Sequence, residues 1–232
     1  MSRVVQITCL GSKGRFGNQL FQYAFARAYA ERHKAILETP EWIGQYLFGL
    51  ADPPPSRKLP RTSNDQAPTD GRVNIDLFGY FGFSGDLARQ PWSIKQVRAW
   101  FTFTRLAMEA YPIPQGDYVA VHLRRGDFKR FLKRTCIVKR SAYEKALRQN
   151  GFDPQHAVWV SEEGGNPMPQ DFLTLMRAKV LFLSNSSFSY WAGLLGGQRC
   201  FAPLCEDCTG WVNCEFDEGL RYVRKWAHRR GG

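Results

Sequence analysis

Three short segments hold most of the side chains suited to chemistry: "GSKGRFGNQ" at 11–19, "HLRRGD" at 122–127 and "SNSSFS" at 184–189. Their common theme is an anion. Arg124 and Arg125 can give charge-assisted, often bidentate, hydrogen bonds to phosphate. Gly11, Gly14 and Gly17 can present backbone N–H groups near a helix start. Ser186 and Ser187 add hydroxyls and N–H donors at a second helix start. His122 lies two residues before Arg124, on the same face of an extended chain. It reads either as a contact to the base or sugar of a nucleotide or as a satisfied core histidine.

Each segment has a plainer reading. The glycines are spaced three and three, unlike the dinucleotide fingerprint, and no Gly-Lys-Ser/Thr follows them, so this is neither common nucleotide loop. "RRGD" fits a solvated turn with an Arg–Asp pair, and Ser187 fits a helix N-cap. Three such segments at three strand ends favour a ligand, because open α/β sheets bind ligands beyond the carboxyl ends of their strands. No Asp-x-Asp metal motif occurs in the chain. A departing phosphate would then be neutralised by fixed cations and N–H dipoles in place of a metal.

The elements that must position these groups alternate. Residues 3–10 predict a buried strand. Leu20, Phe21, Ala24, Phe25, Ala28 and Tyr29 mark one helical face after Asn18, and 35–38 is a second strand. That makes a βαβ unit with a parallel sheet. Residues 51–71 carry five prolines and read as a loop outside the core. Residues 93–110 predict one helix with Ile94, Val97, Phe101 and Leu106 near one face. "YPIPQGD" at 111–117 reads as a hinge. Strands are then expected at 118–123, 157–161, 180–184 and 199–203. Between them lie helices opened by a capping box of Ser141 and Glu144, at 169–179 and at 186–197. A basic, amphipathic helix at 217–230 closes the chain. The expected organisation is two α/β halves, 1–115 and 116–232.

The 232 residues are 44% hydrophobic and 14% aromatic, enough to bury a core and to exclude general disorder. Lys and Arg outnumber acidic residues 32 to 21, a formal charge of +11. That excess fits nucleic acid, a phosphate-bearing ligand, an anionic membrane or merely a solvated surface. Four of six cysteines (Cys200, Cys205, Cys208, Cys214) cluster in fifteen residues. Cys205 and Cys208 form half a zinc pattern with no second pair, so free thiols on a loop are expected. No signal peptide or membrane-spanning run is visible, and a cytoplasmic protein is expected.

"GRFGNQLFQYAFARAYA", "GYFGFSGDL", "VAVHLRRGD" and "FLSNSSFSYWAGLL" resemble, in order and approximate spacing, successive motifs of the alpha-1,2-fucosyltransferase family, over most of the chain. "GRFGNQ" is also similar to the opening motif of protein O-fucosyltransferases, and "HLRRGD" to the arginine motif of alpha-1,6-fucosyltransferases. The resemblance implies an α/β fold of GT-B type, two Rossmann-like halves facing across a cleft. It implies an inverting, metal-independent glycosyltransferase that needs no cofactor and carries fucose from GDP-fucose to a glycan hydroxyl.

By motif, Arg124 would hold the diphosphate and stabilise the leaving group, with Arg125 supporting the same loop. His122 and Asp171 would address the guanine. Ser186, Ser187 and Phe188 would close over the phosphates. Gly14, Arg15, Phe16, Gly17, Asn18 and Gln19 would approach the diphosphate and fucose from the N-terminal half. The catalytic base is left unassigned between Asp127, Glu38, Glu41 and a dissociative path needing little base. The chain is short for this family, its proline-rich stretch stands where a structured acceptor region is usual, and the cysteine cluster lies outside the pattern. Acceptor, linkage and sugar therefore stay open. Alternatives are another GDP-deoxysugar or a protein acceptor, a basic nucleic-acid-binding module, and an inactive glycan-binding relative. The pairing of "HLRRGD" with "SNSSFS" argues against nucleic acid. The 217–230 helix could touch an anionic membrane carrying the acceptor.

Overall fold

The computed structural model describes residues 2–66, 68–82, 90–132, 135–205 and 209–221, with the main chain alone for Asp127, Phe131 and Glu162. The chain divides into two compact units, Met1–Glu109 and Ala110–Gly232.

In the first unit β1 (Val4–Gln6) leads through a loop to α1 (Phe16–Arg32) and β2 (Ile36–Glu38). Then come α2 (Ile43–Phe48), β3 (Ile75–Asp76), α3 (Ile94–Trp100) and α4 (Arg105–Ala110). The sheet order is β2-β1-β3, all parallel, so the expected βαβ unit is present. Leu20, Phe21, Ala24, Phe25, Ala28 and Tyr29 are buried, and so are Gln19, Gln22, Tyr23, Ala26 and Ala30 on other faces of α1. A helix covered on most sides is the centre of its unit, not a surface layer.

The helix expected over 93–110 is broken. Ser93 caps α3 in a capping box with Gln96, and Thr104 caps α4 by accepting from the Ala107 N–H at 3.1 Å. Between them Phe101 and Phe103 turn inward onto Phe48, at 5.1 and 4.9 Å between ring centroids. The break leaves Ile94 and Leu106 40% and 68% exposed, while Val97 and Phe101 are buried as expected.

The 51–71 segment has no strand or helix among its described residues, yet it is fastened to the sheet. Ser56 donates through N and Oγ to the two oxygens of Glu38 at 2.9 and 2.7 Å. Gln6 Nε2 adds a third bond at 2.7 Å. Burial pushes the Glu38 pKa up, but these hydrogen bonds, with the Arg57 charge, outweigh it and hold the carboxyl below its usual value. A carboxylate with a depressed folded pKa stabilises the native state above its unfolded pKa of about 4.3, and that contribution is lost as pH falls through the folded value. Glu38→Gln is expected to cost about 1–3 kcal/mol at pH 7, on the scale of hydrogen bonds to a charged group. The difference from the parent should shrink below pH 4. Urea midpoints at both pH values check this.

Gly44 is required for packing. The Trp42 indole lies over it and stacks on Tyr23 with centroids 5.4 Å apart. A Cβ at Gly44 would stand 2.1 Å from the indole. Gly44→Ala is expected to destabilise by about 1–3 kcal/mol through overpacking, read as a lower thermal midpoint.

The second unit contains β4 (Val119–Leu123), a 3₁₀ turn (Gly126–Phe131), β5 (Cys136–Val138), α5 (Arg140–Gln149) and β6 (Val158–Ser161). There follow α6 (Met168–Arg177), β7 (Val180–Phe182), α7 (Ser187–Gly196), β8 (Arg199–Pro203), β9 (Gly210–Val212) and β10 (Phe216–Glu218). The main sheet runs β10-β8-β7-β4-β6, parallel except for β10. Val121, Tyr143, Leu147, Phe182 and Phe201 form its core, with Phe182 and Phe201 stacked at 4.7 Å.

Three expectations are corrected here. The helix α5 starts at Arg140, with Lys139 at the N-cap and no side-chain cap. Glu144 pairs with Arg140 at 2.9 Å, and Ser141 Oγ meets Asn213 Oδ1 at 3.4 Å. The cysteine-rich segment contains a strand, β9, parallel to β5 with Trp211 opposite Ile137. The start of the expected terminal helix is strand β10, with Asp217 opposite Ala202. The rest of that helix, beyond Arg221, lies outside the described residues, as does Cys208. Among the described residues the other five cysteines form no disulfide with one another.

Candidate functional site

The order of the second sheet locates a crevice. From β4 the chain proceeds to β6 on one side, and from β7 to β8 on the other, while β4 and β7 are neighbours. Loops leaving adjacent strands in opposite directions open a gap at their carboxyl ends, where α/β sheets bind ligands. The loop after β4 carries Arg124 and Arg125, and the loop after β7 carries Ser184 to Ser186 and then α7.

His122 is only 2% exposed. Its Nδ1 is 2.7 Å from Ser184 Oγ, and Ser189 Oγ accepts from the Ser184 N–H at 3.2 Å. This bond fixes the ring, leaving the tautomer to decide which nitrogen carries the proton. The Phe188 ring lies 5.4 Å from the imidazole and 5.2 Å, edge-on, from Phe172. Beside Phe172 on α6 is Asp171, buried in the first turn and accepting from Asn166 Nδ2 at 3.2 Å. Helix α6 packs on both α7 and β4. Ser186 is the N-cap of α7, accepting from the Phe188 N–H at 3.2 Å, and Ser187 is the first helical residue. Of the residues expected to form a site, His122 thus lies against Phe188, Ser186 and Ser187 open the helix that carries Phe188, and Asp171 is the chain neighbour of Phe172, which packs edge-on against Phe188.

The two arginines part company. Arg124 is half-buried, with its guanidinium 4.5 Å from the centroid of Phe128. Arg125 is 7% exposed. Its Nη1 donates to the carbonyls of Val138 (2.9 Å) and Arg124 (3.2 Å), and its guanidinium lies 4.9 Å from the Trp211 ring. Burial pulls its pKa below the ordinary value. Arg125 therefore ties the loop after β4 to the β5–β9 ladder. The side chain of Asp127 lies outside the described residues.

The first unit repeats the layout: β2 and β3 flank β1 on opposite sides. Helix α1 begins at Phe16, earlier than the sequence pattern indicates, so Gly17, Asn18 and Gln19 lie in its first turn. Arg15 is the exposed N-cap, and Phe16 is buried, stacked on Phe48 at 6.2 Å. Gln19 turns inward and donates to the carbonyls of Gly11 (3.3 Å) and Gly14 (3.2 Å). Gln22 donates to the carbonyls of Lys13 and Gly79, both at 3.0 Å, so it sews the loop after β1 to the loop after β3. Gly14 has φ +78°, and a Cβ there would lie 2.7 Å from the Tyr80 ring. Lys13 Nζ sits over the rings of Phe78 and Tyr80. Glu41 is exposed, whereas both Glu38 oxygens are engaged.

Sequence reasoning missed Ser184 and Gln22. The available signal was a polar residue ending an apolar strand for Ser184, and an amide on the apolar side of a helix for Gln22. Among the described residues no three His, Cys, Asp or Glu side chains gather as a metal set, and no helix is long and apolar enough to cross a membrane.

No family model and no curated protein matches the chain. Solved fucosyltransferase structures do match its architecture. NodZ from Bradyrhizobium superposes with a TM-score of 0.55 at 14% identity, covering 95% of this chain and 99% of that one. NodZ alpha-1,6-fucosyltransferase soaked with GDP-fucose gives 0.52 at 15% identity, covering 95% and 100%. A mutant of FUT1 from Arabidopsis thaliana in complex with GDP gives 0.55 at 11% identity, covering 93% and 74%. The chain has the α/β fold of these GT-B fucosyltransferase structures, as the motifs lead one to expect.

Proposed function

We propose that the protein is a glycosyltransferase that moves fucose from GDP-fucose to a hydroxyl of a glycan. The observation that carries this reading is the buried His122–Ser184 pair beside the serine-capped start of α7, where β4 and β7 are neighbours and Arg124 lies in the loop that leaves β4. The fold shared with fucosyltransferases solved with GDP and GDP-fucose supports it.

In this reading Arg124 and the first N–H groups of α7 take the diphosphate and the charge that grows on it as the glycosidic bond breaks. Ser186 and Ser187 supply hydroxyls, and Phe188 covers them. His122, held by Ser184, and Asp171 read the guanine. Arg125 acts through the backbone of the loop and positions Arg124. Gly14, Arg15, Phe16, Gly17, Asn18 and Gln19 are assigned to the donor by the family motif. An inverting, metal-independent reaction, an alpha-1,2 linkage and a cytoplasmic location belong to the same proposal.

The test is transfer itself. The protein is incubated with GDP-fucose and a library of free glycans in EDTA, and products are read by mass spectrometry and linkage analysis. A deoxyhexose added in alpha-1,2 linkage is expected. Transfer from another GDP-sugar with none from GDP-fucose overturns the choice of sugar, and a strict metal requirement overturns the metal-free mechanism.

A further inference from the structure

The β8–β10 ladder sets two cysteines opposite each other. The strands pair antiparallel, with Phe216 opposite Pro203 and Glu218 opposite Phe201. The pairing continues past both ends of that register. The Leu204 N–H donates to the Glu215 carbonyl at 2.8 Å, and the Gly219 N–H donates to the Cys200 carbonyl at 2.8 Å. Directly opposite residues in such a ladder alternate between hydrogen-bonded and non-hydrogen-bonded pairs. Cys200–Gly219 and Leu204–Glu215 are of the first kind, so the next pair, Cys205 with Cys214, is of the second. The Cα atoms of a non-hydrogen-bonded pair lie about 4.5 Å apart, within the about 4.4–6.8 Å that a disulfide spans.

The side-chain directions agree. Phe201 and Phe216 face the core of the second unit, and Cys205 and Cys214, at even spacing from them along the chain, pack against the same core. Burial raises the Tyr143 pKa against the Arg125 charge, and both cysteines add to the rise, so both stand near one phenol. Each nevertheless keeps part of its surface in water. Among the described residues the unit's other cysteines differ. Cys200 is buried, its Sγ lies 2.9 Å from where a Cβ on Gly193 would stand, and desolvation pushes its thiol up to about 12. Cys136 is buried and accepts from Asn185 Nδ2 at 3.6 Å.

Between Cys205 and Cys214 in sequence lies β9, whose Trp211 carries the Arg125 guanidinium. A covalent link between the two cysteines would fasten both ends of the segment that braces the loop after β4.

We propose that Cys205 and Cys214 form a thiol–disulfide exchange site whose co-reactant is a small-molecule disulfide such as oxidised glutathione. One cysteine thiolate attacks the S–S bond of the reagent, forms a mixed disulfide and releases one glutathione. The second thiolate attacks the cysteine sulfur of that mixed disulfide, closes the Cys205–Cys214 bond and releases the second glutathione. Two protein thiols are oxidised to one disulfide, the reagent is reduced to two thiols, and the two cysteine protons end on the released glutathione. Excess reductant reverses the step. The site does not depend on the sugar-transfer reading.

The full chain incubated with oxidised glutathione tests this. Remaining thiols are alkylated during denaturation, and the protein is cut with trypsin, chymotrypsin and a glutamyl endopeptidase, which together cleave between Cys205, Cys208 and Cys214. Mass spectrometry is expected to find the Cys205 and Cys214 peptides joined, in the parent and in Cys208→Ser alike, and separated by dithiothreitol. The thermal midpoint should rise by about 4 °C or more on oxidation and fall back on reduction. Separately alkylated Cys205 and Cys214 peptides from a folded, oxidant-treated parent overturn the inference. So does Cys208 joined to either of them in place of the other. A Cys205–Cys214 bond that leaves the midpoint unchanged overturns its role as a fastening of the β9 segment.

Discussion

Replacing Arg124 by alanine is expected to abolish most sugar transfer while leaving the protein folded. Arg125, which donates to two main-chain carbonyls, ties the loop after β4 to β5, whereas the half-buried Arg124 guanidinium lies against the face of Phe128. In the proposed reaction the substitution removes a fixed cation from the point where negative charge would develop. Losses for such a donor are about 3–4 kcal/mol, on the order of 10²–10³ in rate. Initial rates at saturating GDP-fucose, with thermal midpoints alongside, check it. Full activity in Arg124→Ala would remove its assigned role.

Arg125→Ala should behave in the opposite way, with stability lost first. Its guanidinium is enclosed, gives hydrogen bonds to two main-chain carbonyls and lies on Trp211. Truncation leaves the Val138 carbonyl without that donor and a void under the indole, with the lost packing of the arginine stem added. A cost of about 2–3 kcal/mol is expected, measured by urea denaturation. Arg125→Lys should not rescue it fully, because an ammonium has no planar face to lay on the Trp211 ring. On this account the two adjacent arginines of one motif would separate experimentally into a group for the ligand and a group for the loop.

The distinction was not legible in the sequence, where Arg124 and Arg125 look equivalent. It depends on β9, a three-residue strand pairing with β5 across more than seventy positions. Gly210, Trp211 and Val212 give no local periodicity from which to infer it. The parallel strands were legible because each is a short apolar run followed by a polar turn, and α1 because its apolar face repeats. Its start was misplaced because Arg15 caps it without a side-chain hydrogen bond. The helix at 93–110 read as continuous because the apolar spacing persists through Phe101 and Phe103. The break comes from a second cap, Thr104, and from Phe48, which is distant in sequence. Ser141 looked like a cap, yet the helix, with its Arg140–Glu144 pair, starts two residues earlier, with Lys139 at the N-cap. At the crevice the residue types were legible, but the hydrogen bond between His122 and Ser184 required the neighbouring register of β4 and β7.

The central claim is that the β4–β7 crevice takes a guanosine diphosphate through Arg124. Thermal shift in EDTA, with GDP, UDP and ADP titrated against the parent chain and Arg124→Ala, tests it most directly. Binding to the native state alone raises the midpoint with ligand concentration. GDP should stabilise the parent selectively, with the shift largely lost in Arg124→Ala. Equal shifts with all three nucleotides, or a GDP shift undiminished in Arg124→Ala, would contradict it.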